Sequence, residues 1–244
     1  MHSIDVPTSQ TLAFVLRSLP LEHVRILEVG CGAGKLANSL RDLGHELVAV
    51  DSSLESVEAA RQLGVNAKLA DFPNFEDEPF DVVLFTRSLH HIHPLDTTIE
   101  QTCRLLKPAG LLIAEDFAFS DVLEYTAVWF HRLLELLEAC GVLLPAEDSF
   151  GRRLLKGRGG FSLWHEDEHE TSSDHKMLCA VVARLDLIKH ESAPYLYRYI
   201  SEMVPHDHQG EIVVSRVLAL EEAAGLIDSR HLIGRRFVAR KRNA

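Results

Sequence analysis

The chain has 244 residues, 46% hydrophobic and 25% charged, which suffices for one globular domain, or one domain with a cap, around a sizeable core. Lys and Arg number 25 against 36 Asp and Glu, and the formal net charge of −11 disfavours a nucleic-acid backbone or an anionic membrane as the main partner. Cys31, Cys103, Cys140 and Cys179 are scattered without a CxxC pair, residues 1–10 lack a basic start and an apolar signal core, and no apolar run spans a bilayer; a reduced, cytoplasmic protein is expected.

Thr8 to Leu19 carries Leu12, Val15, Leu16 and Leu19 at helical spacing and stops at Pro20. Arg25 to Gly30 is a short apolar run of the kind a strand buried on both faces requires, and Gly30, Gly32 and Gly34 follow it directly. Lys35 to Leu43 then switches to helical spacing and is closed by Gly44. Alternate glycines let a ligand approach the main chain. Two phosphate-loop readings fail. Gly34-Lys35 is followed by Leu36, so no hydroxyl is placed for magnesium, and Lys35 stands where GxGxxG needs its third glycine.

The second unit is a strand over 46–51 ending in Asp51, and a helix over 53–63 with Ser52 or Ser53 as cap. A third strand is predicted over Val65 to Ala70, followed by Asp71-Phe72 and a polar loop to Pro79. Phe80 to Phe85 is a fourth strand, and Thr86-Arg-Ser-Leu-His-His-Ile-His-Pro follows it. A helix over Thr97 to Leu106 is broken by Lys107-Pro-Ala-Gly110 before a fifth strand, Leu111 to Asp116.

Glu28 at a strand end, Gly-x-Gly-x-Gly, Asp51, Asp71-Phe72, the Leu-His-His segment and the Leu-Leu-Lys-Pro-Ala-Gly turn together resemble the class I S-adenosylmethionine-dependent methyltransferases, specifically the small-molecule group called type 11. The resemblance covers residues 24–118. It implies a doubly wound, mostly parallel seven-stranded α/β sheet, with a helical cap inserted after the fifth strand and a last strand lying between the fifth and sixth. S-adenosyl-L-methionine is the implied cofactor, held by Glu28, Gly30, Cys31, Gly32, Gly34, Asp51, Ser52 and Thr86, with Asp71 on the adenine amino group and the Phe72 backbone on the ring. A carboxylate at the end of the second strand can accept from both ribose hydroxyls, and a cofactor without pyrophosphate dispenses with the third glycine. The Asn- or Asp-Pro-Pro-Tyr element of the DNA and protein amide methyltransferases is absent after the fourth strand.

Domain organisation is read as a cofactor-binding half over 1–118, a cap over 119–185 and a completion of the sheet over 186–244. The cap holds a long helix from Asp121 to Ala139, a polar glycine-rich stretch over 142–173 and a helix from Asp174 to Leu185. Leu187 to Glu191 is a candidate sixth strand, Tyr195, Tyr197 and Tyr199 suit packing or an aromatic acceptor, a helix over 211–224 ends at Gly225, and Ile233 to Arg240 is the final strand.

Methyl transfer is an in-line displacement that rests mainly on positioning. A hydroxyl acceptor benefits from a base, and His91, then His90, then His165 are the candidates, with His93 nearby. The Trp164 to His169 stretch, with Asp174 and His175 shortly after, is read as a solvated acidic turn in preference to a divalent-metal site on His165 and His169, which would share a helix face, and no metal is expected. The resulting expectation is a methyltransferase acting on a small molecule, most readily at a hydroxyl oxygen, with no nucleic-acid or membrane partner and an open oligomeric state that includes a homodimer. The alternative is an adenosylmethionine-binding protein that does not methylate: an accessory protein, or an enzyme of rearrangement or cyclisation that uses the bound sulfonium.

Overall fold

The computed structural model describes residues 5–20, 23–145, 149–157, 161–166 and 172–242, the side chains of Ser120, His165 and Glu166 excepted. Its elements in chain order are α1 (Val6–Ser18), β1 (Arg25–Val29), α2 (Lys35–Asp42), β2 (Glu46–Asp51), α3 (Leu54–Gln62), β3 (Ala67–Leu69), β4 (Phe80–Thr86), α4 (Leu95–Leu105), β5 (Leu106–Phe117), α5 (Glu124–Ala139), α6 (Phe150–Lys156), α7 (Leu163–Glu166), α8 (Asp174–Arg184), β6 (Leu185–Ala193), α9 (Tyr197–Ser201), α10 (His208–Ile227) and β7 (Gly234–Lys241). The chain divides into two compact units, one made of Thr8–Asp116, Ser172–Glu191 and Arg235–Ala244, the other of Met1–Pro7, Phe117–Thr171 and Ser192–Gly234.

The first unit is built on a seven-stranded sheet of order β3-β2-β1-β4-β5-β7-β6, in which β3, β2, β1, β4 and β5 pair in parallel. Successive side chains of a strand point to opposite faces, and the apolar runs of this sheet supply two cores accordingly. Leu27, Val29, Val48, Val50, Val83, Phe85, Leu112 and Ala114 pack with Ile99 of α4 and with Met177 and Val181 of α8. Ile26, Leu47, Ala49, Val82, Leu84 and Ile113 pack on the other side with Phe14 and Val15 of α1, Leu36 and Leu40 of α2, and Val57 and Ala60 of α3. Helices on both faces and β7 between β5 and β6 make this the doubly wound fold expected from the sequence.

The second unit is helical. Phe130, Leu134, Phe150, Leu154, Trp164, Ile200, Met203, Val214 and Val217 form its core. The expected cap, 119–185, and this unit differ at α8. Met177, Ala180 and Val181 of α8 lie in the same core as Leu112 and Phe237, so the helix groups with the sheet, while residues 192–234 join the helical unit.

Two breaks read from the sequence fold differently. Lys107-Pro-Ala-Gly110 does not precede β5 but lies inside it, with Ala109 at φ +59° and a register shift opposite Phe80 and Val82 that absorbs the extra residues. Gly225 does not end its helix. α10 runs on to Ile227, and a Cβ at Gly225 would lie 2.6 Å from Leu232, so this glycine makes room for a side chain.

Candidate functional site

The parallel register aligns Val29 with Val50 on one side and with Phe85 on the other, so the carboxyl ends of β1, β2 and β4 form one edge. The order reverses between β1 and β4, and a doubly wound sheet opens a crevice at such a point. Most of the expected cofactor residues line this edge.

The turn after β1 takes its shape from its glycines. Gly30, Gly32 and Gly34 have φ of +72°, +52° and +75°, all left-handed. A Cβ on Gly30 would lie 2.4 Å from Ser88 Cβ and one on Gly34 would lie 2.6 Å from Ala60 Cβ, whereas one on Gly32 would meet nothing within 4 Å. Two of the glycines therefore admit protein and the middle one borders open space. Asp51 fixes the turn: its Oδ2 accepts from the Gly32 N–H at 2.9 Å, and its Oδ1 accepts from the Ser53 N–H at 2.9 Å. Ser53, not Ser52, caps α3 by accepting from the Ser56 N–H, and Ser52 is exposed.

Glu28 is buried in β1. Its Oε1 accepts from Thr86 Oγ1 at 3.2 Å, and its Oε2 is buried without a hydrogen-bond partner. Burial, with Asp51 adding to it, pushes this carboxyl up to about 7, against the Thr86 bond, the charge of Arg87 and the Ala37 backbone N–H, which favour its ionised form. Cys31 is buried as well, and burial, then Glu28 and Asp51, push its thiol up to about 12. That leaves it a packing group and no nucleophile. Asp71 is exposed, opens a short 3-10 turn over Phe72–Asn74 and accepts from Asn74 Nδ2 at 3.1 Å. Phe72 is buried edge-on against Phe85, ring centroids 5.4 Å apart.

The histidine loop sits at the carboxyl end of β4. His90 is buried, with Nδ1 2.7 Å from Asp116 Oδ1, while Asp116 Oδ2 accepts from the His90 backbone N–H at 3.3 Å. His91 is exposed, its ring centroid 3.8 Å from that of His90. The loop is latched to the segment before α8, where the Ser172 N–H donates to His90 O at 2.9 Å and Ser172 Oγ lies 3.5 Å from His93 Nδ1. His165 lies in α7, in the helical unit, with its side chain outside the described residues, as are Asp167 to His169 altogether. Among the described residues no group of His, Cys, Asp and Glu could hold a metal ion, and no helix is long and apolar enough to cross a membrane.

Sequence reasoning assigned no role to Asp116, Ser88 or Arg87. The adjacent acids Glu115 and Asp116 at the end of a buried apolar strand were the available signal for the first. Ser88 donates to Val29 O at 2.5 Å and closes the β1/β4 junction from the loop side.

Residues 27–114 match the family model described as a methyltransferase domain. A ubiquinone biosynthesis O-methyltransferase of Chelativorans sp. (strain BNC1) is 35% identical over 101 residues, covering 38% of this chain and 40% of the relative. The chain spans half or less of the length of such curated relatives. Among solved structures, the N-methyltransferase NodS from Bradyrhizobium japonicum WM9, in complex with S-adenosyl-L-homocysteine, aligns over 96% of this chain and 87% of its own with a TM-score of 0.55 and 13% identity. The 4+2 cyclase SpnF aligns over 96% and 82% with a TM-score of 0.56 and 16% identity. At these identities the structural likeness establishes the fold alone.

Proposed function

We propose that the chain binds S-adenosyl-L-methionine along the carboxyl edge of β1, β2 and β4 and transfers its methyl group to a hydroxyl oxygen of a small-molecule acceptor. The observation that carries the reading is the β1/β4 junction: open space over Gly32, a Gly32 N–H fixed on Asp51, and the buried Glu28 carboxyl beneath the turn. A cationic, hydroxyl-rich nucleoside fits these groups. Each Asp51 oxygen already accepts one backbone N–H and keeps a lone pair for a ribose hydroxyl. Glu28, buried beneath the turn, would favour a positive charge above it electrostatically. Asp71 and the Phe72 backbone take the adenine end, as the family resemblance implies.

When bound, the cofactor supplies a methyl group on a sulfonium. The chain then has to position the acceptor and receive its proton. His90 is better placed for the proton than His91, because its ring is buried at the end of β4 with Nδ1 2.7 Å from the Asp116 carboxylate, whereas His91 is exposed. The O-methyltransferase named among the relatives supports oxygen as the target atom, and the net charge of −11 supports a small molecule over a nucleic acid. Scattered free cysteines support a cytoplasmic location.

The likeness to a 4+2 cyclase keeps a second reading in view, in which the same fold binds its ligand without methylating. Calorimetric titration with adenosylmethionine and adenosylhomocysteine, followed by an assay of methyl transfer to phenolic and aliphatic hydroxyl acceptors, separates the two. Asp51→Ala is expected to weaken both nucleosides about tenfold or more, the loss of one charge-assisted bond. Folded wild-type protein that binds neither nucleoside refutes the reading. Binding without turnover on any hydroxyl acceptor favours the second.

A further inference from the structure

Between β4 and the histidine loop the chain turns on an arginine. Arg87 has φ +59°, a left-handed conformation that is costly for a residue with a Cβ and free for glycine. The fold clamps it there. The Arg87 N–H donates to Glu115 O at 2.7 Å, while its neighbours Thr86 and Ser88 are bonded to Glu28 and to Val29 O of β1. Backbone strain retained at the switch point of a sheet directs attention to the side chain it presents. That side chain is exposed, its guanidinium makes no hydrogen bond, and its charge acts on the buried Glu28 carboxyl. The ends of β1 and β2 contribute carboxylates to the same edge, in Glu28 and Asp51, and both Arg87 and Asp51 act electrostatically on Glu28.

We infer that Arg87 binds the α-carboxylate in the amino-acid portion of the cofactor, an inference that rests on the adenosylmethionine reading above. That portion carries an ammonium and a carboxylate. The acidic edge suits the first and repels the second, so the carboxylate needs a cation at this point of the crevice. A guanidinium matches a carboxylate in charge and in its two-pronged donor geometry, which a lysine does not. Arg87 is thereby a positioning residue: fixing the carboxylate fixes the chain that carries the methyl group.

The test compares adenosylhomocysteine with methylthioadenosine, which has the same nucleoside and a thioether but no amino-acid portion. Wild type, Arg87→Gly, Arg87→Lys and a charge control, Lys35→Ala at the first residue of α2, are titrated calorimetrically and melted. Arg87→Gly is expected to raise the Kd for adenosylhomocysteine about 10- to 100-fold while leaving methylthioadenosine within about twofold. Its melting temperature should not fall, since glycine accepts the backbone conformation. Arg87→Lys should show a smaller loss, again confined to adenosylhomocysteine. Equal weakening of both ligands, no weakening of adenosylhomocysteine, or the same differential in Lys35→Ala overturns the inference. Wild type that binds neither ligand overturns instead the cofactor reading beneath it.

Discussion

Gly30 and Gly32 stand two residues apart, share a left-handed backbone, and differ in what a methyl group would meet. Gly30→Ala drives a Cβ into Ser88 and should cost about 3 kcal/mol, strain and overpacking together. Gly32→Ala pays only the left-handed penalty, about 1 kcal/mol, but fills the space over the turn. A thermal melt should therefore rank Gly30→Ala far below Gly32→Ala, while titration with adenosylhomocysteine finds binding lost in Gly32→Ala although it is folded. Retained affinity in that variant would mean that no ligand lies over the turn. The two histidines divide in a similar way. His90→Asn should lower kcat about 10²- to 10⁴-fold, and His91→Asn, at an exposed ring, should cost less than tenfold. The reverse order would return the base to His91. Glu28, the glycine turn and Asp51 were legible because they fall within one strand-turn-helix and the strand after it. The His90–Asp116 pair was not, because it exists only through the pairing of β4 with β5, and Arg87 gives no sign in sequence of the sign of its φ.

Glu221 of α10 shows how one element is held by another. Fully buried, it accepts from the N–H groups of Tyr195 and Leu196 through Oε1, at 2.6 and 3.0 Å, and of Tyr197 through Oε2, at 3.1 Å. These are donors at the start of α9, where no intrahelical carbonyl is available, and α9 has no side-chain cap at its own first position. Burial pushes the carboxyl up to about 7, outweighing those bonds and the nearby charge of Arg198. Since its folded value lies above its unfolded one, the folded state binds the extra proton between about 4.5 and 7, and stability falls as pH rises through that window. Glu28, raised in the same way, adds a fall of the same sign. Urea unfolding at pH 5 and pH 8 should show wild type losing several kcal/mol, up to roughly 3 from each group. Glu221→Gln, which resembles the neutral acid, should show a shallower loss; a stability that rises over this range would contradict the account. Neither the capping role of Glu221 nor the passage of α10 through Gly225 was legible, since both depend on partners brought in by tertiary packing.

Over the whole molecule, the alternation of buried strands and amphipathic helices up to residue 118 made the doubly wound class legible, whereas the place of the last strand came with the family resemblance. Beyond that point each helix has an apolar face that suits either core. Met177 and Val181 put α8 with the sheet, and no periodicity in the sequence carries that choice. The interleaving also orders events in time. β6 has β7 as its neighbour in the sheet, and residues 194–233 separate the two strands. On the ribosome, β6 emerges with Leu187 and Ile188 on its surface while its pairing partner is still unmade, and the outer edge of β5 waits with it. That interval is when the nascent chain is most open to pairing with another copy of itself. Slower elongation through residues 194–233 should therefore lower the yield of folded protein, whereas slowing confined to residues 25–60, before β6 is made, should not.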